Sequence, residues 1–352
     1  MPNKNCWDVP WPENELEGVS LCPVCGDAAG EKLFENLVDN AFHVANGSWN
    51  LYQCKQCSNA YLNPRPDRSS IHKAYGTYYT HESTDNNQKP VEELSKLRKI
   101  RRMLVNGYYN YHHGTRRAPA NVLGAWLLFL YPRFRKTLKA QFRYLPKPEA
   151  GQSLLDIGCG NGNFLSLAAE VGWKVSGVDP DPKALNIARS HGYEVFQGGI
   201  EQLHGSNELF DVITMNHVIE HVHDPVDFVR SAYRLLKPGG ILFIDTPNIE
   251  STGAKIYGKN WRGLEAPRHL VLFSKIGLSD ILTNNGFSRV SFFPRQEVRK
   301  DIALKSFRIK LGKSPYDNTV RRLPPLLFLR NILPRAPYRE EFLTVLARKP
   351  YK

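Results

Sequence analysis

The stretch Ser153-Leu154-Leu155-Asp156-Ile157-Gly158-Cys159-Gly160-Asn161-Gly162 decides the fold. An apolar run meets an acid, three glycines alternate with small residues, and an amphipathic run follows at 164–171. This predicts a strand over 153–157, a tight turn and a helix. The glycines let the backbone approach a ligand closely and take positive φ. The helix start leaves free N–H groups. Asp179 follows the next expected strand, 174–178, at a point where a carboxylate can accept from both ribose hydroxyls.

Outward from this loop the alternation continues. Strands are expected at 193–197, 210–215 and 240–246, and later at 289–293 and 341–348. Helices are expected at 182–191, 225–236 and 275–285. Short apolar runs alternating with amphipathic helices predict βαβ units on a parallel sheet. Lys237-Pro238-Gly239-Gly240 is a helix stop followed by a turn. Residues 96–145 read as helical, with breaks at Pro119 and Pro132.

The 352 residues suffice for one large domain and a smaller one. They carry 47 basic against 34 acidic side chains, a net charge of +13, and 41% are hydrophobic. A basic balance attracts the phosphates of nucleic acids, nucleotide sugars or anionic lipids without choosing among them. Part of it is local, in Arg101, Arg102, Arg116, Arg117, Arg133, Arg135, Lys136, Lys139 and Arg143, which read as a solvated helix face. The first residues lack an apolar core with a cleavage site. The longest apolar run, 122–131, suits a buried or interfacial helix better than a bilayer span. A cytoplasmic location is therefore expected.

Four of the six cysteines form two matched pairs, Cys22-Pro23-Val24-Cys25 and Cys54-Lys55-Gln56-Cys57. Four thiolates make a closed, tetrahedral structural zinc site, and the absence of an export signal favours metal over disulfides. Reduced cysteines packed in a small core are the alternative. Asn63-Pro64-Arg65-Pro66 closes this unit. The expected organisation is a polar tail at 1–20 and a zinc ribbon at 21–66. A helical linker and substrate region at 67–148 precedes the α/β domain at 149–352, with a basic insert at about 295–339.

A nicotinamide dinucleotide fits the glycine loop poorly. The third glycine comes one position early, with Asn163 in its place, and Asp156 sets a negative charge where a pyrophosphate would lie. S-adenosylmethionine carries an amino group and a sulfonium and no phosphate, so a carboxylate there helps it. The loop with Gly177-Val178-Asp179-Pro180, the run 210–222 and Leu235-Leu236-Lys237-Pro238-Gly239-Gly240 resemble the class I S-adenosylmethionine-dependent methyltransferases over residues 150–294 and the last strand. The resemblance implies a Rossmann-like seven-stranded sheet with an antiparallel last strand. It implies that Gly158, Gly160 and Gly162 line the methionine portion, that Asp179 holds the ribose, and that Asn216 and His217 cover the methyl. Many relatives place an acid or amide against adenine after the third strand. Here Gly198-Gly199-Ile200 stands, so backbone contacts from Gly199 and Ile200 are expected instead.

The ribbon resembles the N-terminal mark of a bacterial methyltransferase group acting on sugars and other small metabolites. The run 61–66, followed by Tyr75, Tyr78 and Tyr79, carries that likeness, as does the run 261–274. Ligands of such sheets bind beyond the strands' carboxyl ends, which offers His217, Glu220 and His221, then Asn248, Trp261, Arg268 and His269. Histidine suits a base removing a proton from the acceptor. His221 is the preferred base, with His217 and His269 as alternates, and His191 and His223 read as surface residues. Met215-Asn216-His217-Val218 lacks the pattern used for base N-methylation, so nucleic acid is not the expected partner. The expected reaction moves a methyl group to an oxygen or carbon of a sugar, glycan or small metabolite, with a phosphate-bearing acceptor and peripheral membrane contact both compatible with the charge. An RNA- or protein-directed methyltransferase and a non-catalytic zinc scaffold are the competing readings.

Overall fold

The computed structural model describes residues 6–28, 30–76, 95–203, 205–333 and 335–351. Tyr78 and Tyr79 lie outside them. In chain order the strands are β1 (Leu16–Glu17), β2 (Gly30–Leu37), β3 (Trp49–Cys54), β4 (Ala60–Leu62), β5 (Arg65–Pro66), β6 (Ser153–Ile157), β7 (Lys174–Asp179), β8 (Glu194–Gln197), β9 (Phe210–Asn216), β10 (Leu236–Pro247), β11 (Val271–Leu272), β12 (Ser288–Phe293) and β13 (Phe342–Arg348). The α-helices are α1 (Lys96–His113), α2 (Leu123–Leu127), α3 (Pro132–Gln141), α4 (Asn163–Glu170), α5 (Pro182–Ser190), α6 (Pro225–Leu235), α7 (Thr252–Tyr257), α8 (Lys275–Asn284), α9 (Arg299–Lys310) and α10 (Pro325–Ile332). Seven strands form one sheet in the order β12-β13-β10-β9-β6-β7-β8. The fold is Rossmann-like α/β with a mixed seven-stranded sheet, as expected.

The chain divides into two compact units, Tyr79–Thr214 and Met1–Tyr78 with Met215–Lys352. In the first, β6, β7 and β8 pair in parallel, from Ser153↔Lys174 to Asp179↔Gln197. Leu165, Leu185, Ala188 and Val195 pack together beside them. Helix α5 begins where Pro182 supplies a preset φ and Asp181 caps the N–H of Lys183. The expected breaks hold: Pro132 opens α3, and α1 ends at Gly114 with φ +75°. The basic run is not wholly solvated. Arg117 binds Glu170 through two nitrogens, and Arg143 is ion-paired with buried Asp156.

In the second unit, β13 pairs antiparallel with β10, from Ile241↔Arg348 to Pro247↔Phe342, and β12 pairs with β13. A separate four-stranded sheet, β11-β4-β3-β2, carries the cysteine pairs. Its fourth strand comes from far along the chain, with Val271↔Tyr61 and Leu272↔Ala60. The ribbon is therefore larger than 21–66. The stretch expected as a tail is folded too. Leu16 and Glu17 pair with Pro66 and Arg65, and Trp11 is buried edge-on against Trp49 at 5.4 Å. Two tryptophans supply enough apolar surface to order a segment whose polar composition hides it.

One buried ion pair ties several loops of this unit to one another. Arg268 and Asp39 are both fully buried. Arg268 Nη1 donates to Asp39 Oδ2 at 3.0 Å and to the Ala74 carbonyl at 3.0 Å, and the guanidinium lies over the Phe42 ring. Asp39 also accepts from the N–H groups of Phe42, Val44 and Ala45. Burial opposes charge on Asp39, but Arg268 and these N–H groups outweigh it and hold the carboxyl below its ordinary value. Substituting Arg268→Ala strands that carboxylate. Stability is expected to fall by about 3–5 kcal/mol in a urea titration, with Arg268→Lys intermediate because an ammonium cannot reproduce the two-nitrogen fork.

Candidate active site and metal centre

The glycine loop is built as the sequence suggests. Gly158, Gly160 and Gly162 all have positive φ. A Cβ on Gly160 would meet nothing within 4 Å, so the loop leaves open space beside its backbone. Asp179 accepts from Gly160 N through one oxygen and from Asp181 N through the other, at 2.9 Å each. Each oxygen keeps a lone pair, which suits the two hydroxyl donors of a ribose. Burial raises the Asp179 carboxyl above its ordinary value, against the pull of those N–H groups.

Asp156 is less open than its position suggested. It is buried, ion-paired with Arg143 and accepts from Thr214 Oγ1 at 2.7 Å. Arg143 in turn lies 3.5 Å over the Phe164 ring. Gly199 N donates to Glu201 Oε1 at 2.7 Å, so that N–H is taken within its own turn, and Ile200 is buried. Cys159 is buried, and burial pushes its thiol up.

In the other unit, Asn216 ends β9 half-buried and His217 follows with φ +56°. His217 N donates to the Asp245 carbonyl, its Nδ1 lies 3.2 Å from Glu220 Oε1, and its ring stands edge-on to Phe342. Burial opposes charge on His217, but the hydrogen bond and charge of Glu220, with Asp245, outweigh it and raise the ring above ordinary histidine. Glu220 is fully buried and also accepts from Thr246 Oγ1. Burial would raise it, but the His217 bond and the charges of His221, His217 and His269 hold it at about 2.

His221 Nδ1 lies 2.9 Å from the Arg268 carbonyl and 3.0 Å from Tyr75 Oη. A carbonyl only accepts, so Nδ1 carries the proton and Nε2 keeps the lone pair. His269 is set the same way by the Gly263 carbonyl at 2.9 Å, and burial drops it to about 4. The two rings stand edge-to-face at 4.8 Å. One atom each of Glu220, His221 and His269 lies within 4.8 Å of the others, a set that could also ligate a cation. The structure thus brings Tyr75, His217, Glu220, His221 and His269 into one chain of contacts. Three other candidates have structural bonds: Asn248 to the Tyr338 and Glu340 carbonyls, Trp261 Nε1 to Glu341, and Arg268 to Asp39. His191 is exposed, but His223 is buried, with Nε2 at 3.0 Å from the Pro66 carbonyl. Asp245, which touches Arg295, Thr344 and His217, escaped the sequence reading although it stands near the end of an apolar strand.

The four cysteines gather with their sulfurs within 4.8 Å of one another. Cys22 Sγ is 3.6 Å from Cys57 Sγ, and Cys25 Sγ 3.5 Å from Cys54 Sγ. Four thiolates about 2.3 Å from one zinc ion would stand about 3.8 Å apart, so the cluster fits. Gly26 and Ser58, each following a pair, both take left-handed φ and return an N–H to the first cysteine's carbonyl. Asn59 Nδ2 donates to Cys57 Sγ at 3.2 Å while Asn59 Oδ1 accepts from Ser274 N. Hydrogen bonding from Cys57 lowers Cys22 to about 5, and burial raises Cys25 to about 11. Full ionisation of all four therefore needs a cation among them.

Comparison with known proteins finds methyltransferases. Residues 129–291 match the family model described as Methyltransferase domain. That segment is thus similar to methyltransferase domains. The chain is 41% identical over 108 residues to a ubiquinone biosynthesis O-methyltransferase of Thiobacillus denitrificans, covering 29% of this chain and 47% of that protein. It is 33% identical over 148 residues to the enzyme of the same name from Methylocella silvestris, covering 36% and 58%. The chain thus spans about half the length of the curated relatives it matches. A solved S-adenosylmethionine-dependent methyltransferase of Thermotoga maritima, described as a possible histamine N-methyltransferase, shares 23% identity, with a TM-score of 0.41 over 70% of this chain and 99% of that one. Among the described residues, no helix is long and apolar enough to cross a membrane.

Elemental analysis of the purified protein is expected to return one zinc per chain, with Cys57→Ser losing it. A second expectation concerns acid. His269 falls from 6.5 to about 4 on folding. Between those values the unfolded chain binds a proton that the folded chain refuses, so stability drops as pH falls through that window, by about 3 kcal/mol. Glu220, lowered from 4.5 to about 2, extends the loss below pH 4.5. His217 acts oppositely: its contribution is complete below 6.5 and lost as pH rises through its raised value. Urea midpoints at pH 4.5 and 7 check this, with a smaller difference expected for His269→Asn, which keeps a donor for Gly263.

Proposed function

We propose that this protein transfers the methyl group of S-adenosylmethionine to a hydroxyl oxygen of a small-molecule acceptor, with His221 as the base. The observation that carries the reading is the fixed tautomer of His221, whose Nδ1 is held by the Arg268 carbonyl. Its Nε2 lone pair is the kind of group that takes an acceptor's O–H proton. The relatives' name supports oxygen as the accepting atom. S-adenosylmethionine supplies a methyl carbon made electrophilic by the sulfonium.

The chain's residues do the rest. Asp179 accepts from the ribose hydroxyls, and the Gly158, Gly160 and Gly162 backbone admits the methionine portion. Asn216 and His217 cover the methyl side, with His217 kept cationic-leaning by Glu220. Displacement at a sulfonium demands alignment above all, and Tyr75 and Arg268 fix the base in place. In the metal centre, Cys22, Cys25, Cys54 and Cys57 hold a structural zinc ion, whose closed shell keeps it out of the reaction.

Incubation with methyl-labelled S-adenosylmethionine and a panel of phenols, alcohols and amines tests the reading. Label on a phenol or alcohol oxygen is expected, and label confined to nitrogen would overturn it. Asp179→Ala is expected to weaken S-adenosylmethionine binding at least tenfold by calorimetry. His221→Ala should leave that affinity intact while turnover falls by about 10²–10⁴-fold.

A further inference from the structure

The segment leading into β13 holds more positive charge than its acids can answer. Glu340 is buried in an ion pair with Arg299, and Glu341 is buried against Trp261 Nε1 and Arg335. Lys255, Arg330 and Arg339 are exposed, and among the described residues no acid pairs with them. With Arg335 they line one cavity of about 810 Å³, whose other walls include Ile256 and Tyr338.

The cavity's position follows from the strands. Helix α7 follows the carboxyl end of β10, and the Pro247↔Phe342 pairing places the start of β13 at that same end. Buried Asn248 fixes the two walls together by donating to the Tyr338 and Glu340 carbonyls at 3.0 and 2.9 Å. In sheets of this kind ligands bind beyond the carboxyl ends of the strands. Guanidinium groups bind phosphate oxygens through paired N–H groups, and an ammonium adds a point charge. The apolar and aromatic walls suit the body of a molecule and not a bare ion alone.

We infer that this cavity binds the phosphate or diphosphate group of a phosphorylated acceptor, with Arg330 and Arg339 as the forks and Lys255 as a third charge. That the ligand is an acceptor rests on the methyltransferase reading; that the cavity binds the anion does not.

Calorimetry on the full chain separates the two. Inorganic pyrophosphate is expected to bind below millimolar, with affinity at least tenfold weaker in the Arg330→Ala/Arg339→Ala variant and in Lys255→Ala weakened in the same direction. Lys136→Ala, in the other unit, should bind as wild type does. Circular dichroism and a urea titration of every variant report that each remains folded, and S-adenosylmethionine is titrated into each. No pyrophosphate binding by wild type that binds S-adenosylmethionine, or equal binding by wild type and the double variant, would overturn the proposal. UDP-glucose is the second probe: tighter binding than pyrophosphate assigns the anion to a larger molecule, and equal binding removes the acceptor assignment. If the double variant loses pyrophosphate while no form binds S-adenosylmethionine, the anion site stands and the methyltransferase reading fails.

Discussion

A guanidinium with no exposed surface must be answered by an equally hidden carboxylate, and in this protein the Arg268–Asp39 pair sets much of what surrounds it. Asp39 organises the loop after β2 through three backbone N–H groups. Arg268 fastens that loop to the segment before β11 and to the Ala74 carbonyl. The carbonyl of the same arginine then fixes the proton on His221, and the next residue is His269. One ion pair therefore connects the cysteine-bearing sheet to the ring proposed as the base. Its stabilising value is modest against an apolar substitute, as for buried pairs generally; its effect is to specify one arrangement of several loops.

Much of the α/β framework was legible because its signals are local. The strands at 153–157 and 210–215 and the helices starting at Pro182, Pro225 and Lys275 announce themselves by apolar period, proline and caps within a few residues. The glycine loop and Asp179 were legible for the same reason. What escaped depends on partners distant in sequence. Nothing in Val271-Leu272 says that it will pair with Tyr61 and Ala60, and nothing near Asp39 announces Arg268. Trp11 in a polar stretch and Arg143 in a basic run both looked solvated because composition averages over neighbours, whereas burial depends on one specific counterpart, Trp49 or Asp156.

The histidines show the same division. Their residue type and their place after β9 drew attention to them, but which nitrogen carries the proton depends on the carbonyls of Arg268 and Gly263. His223 was misread for a related reason: a histidine beside an aspartate in a turn looks exposed until the Pro66 carbonyl is found against its ring. The basic insert proved to contain α9 and α10, held by Arg299 and Arg335 on two adjacent buried glutamates. Glu341 alone was read there, simply as the start of a strand, with no role seen for Glu340 beside it.

The strand that residues 271–272 lend to the cysteine-bearing sheet has an evolutionary consequence. Small cysteine-bearing units are commonly treated as cassettes that can be gained, dropped or exchanged. Here the cassette is incomplete without a piece of the chain two hundred residues away, and Asn59 and Ser274 knit its second knuckle to the cap of α8. Recombination at residue 66 would therefore leave both products with an unpaired sheet edge. Substitutions in this sheet are therefore constrained by the segment at 271–274 that completes it.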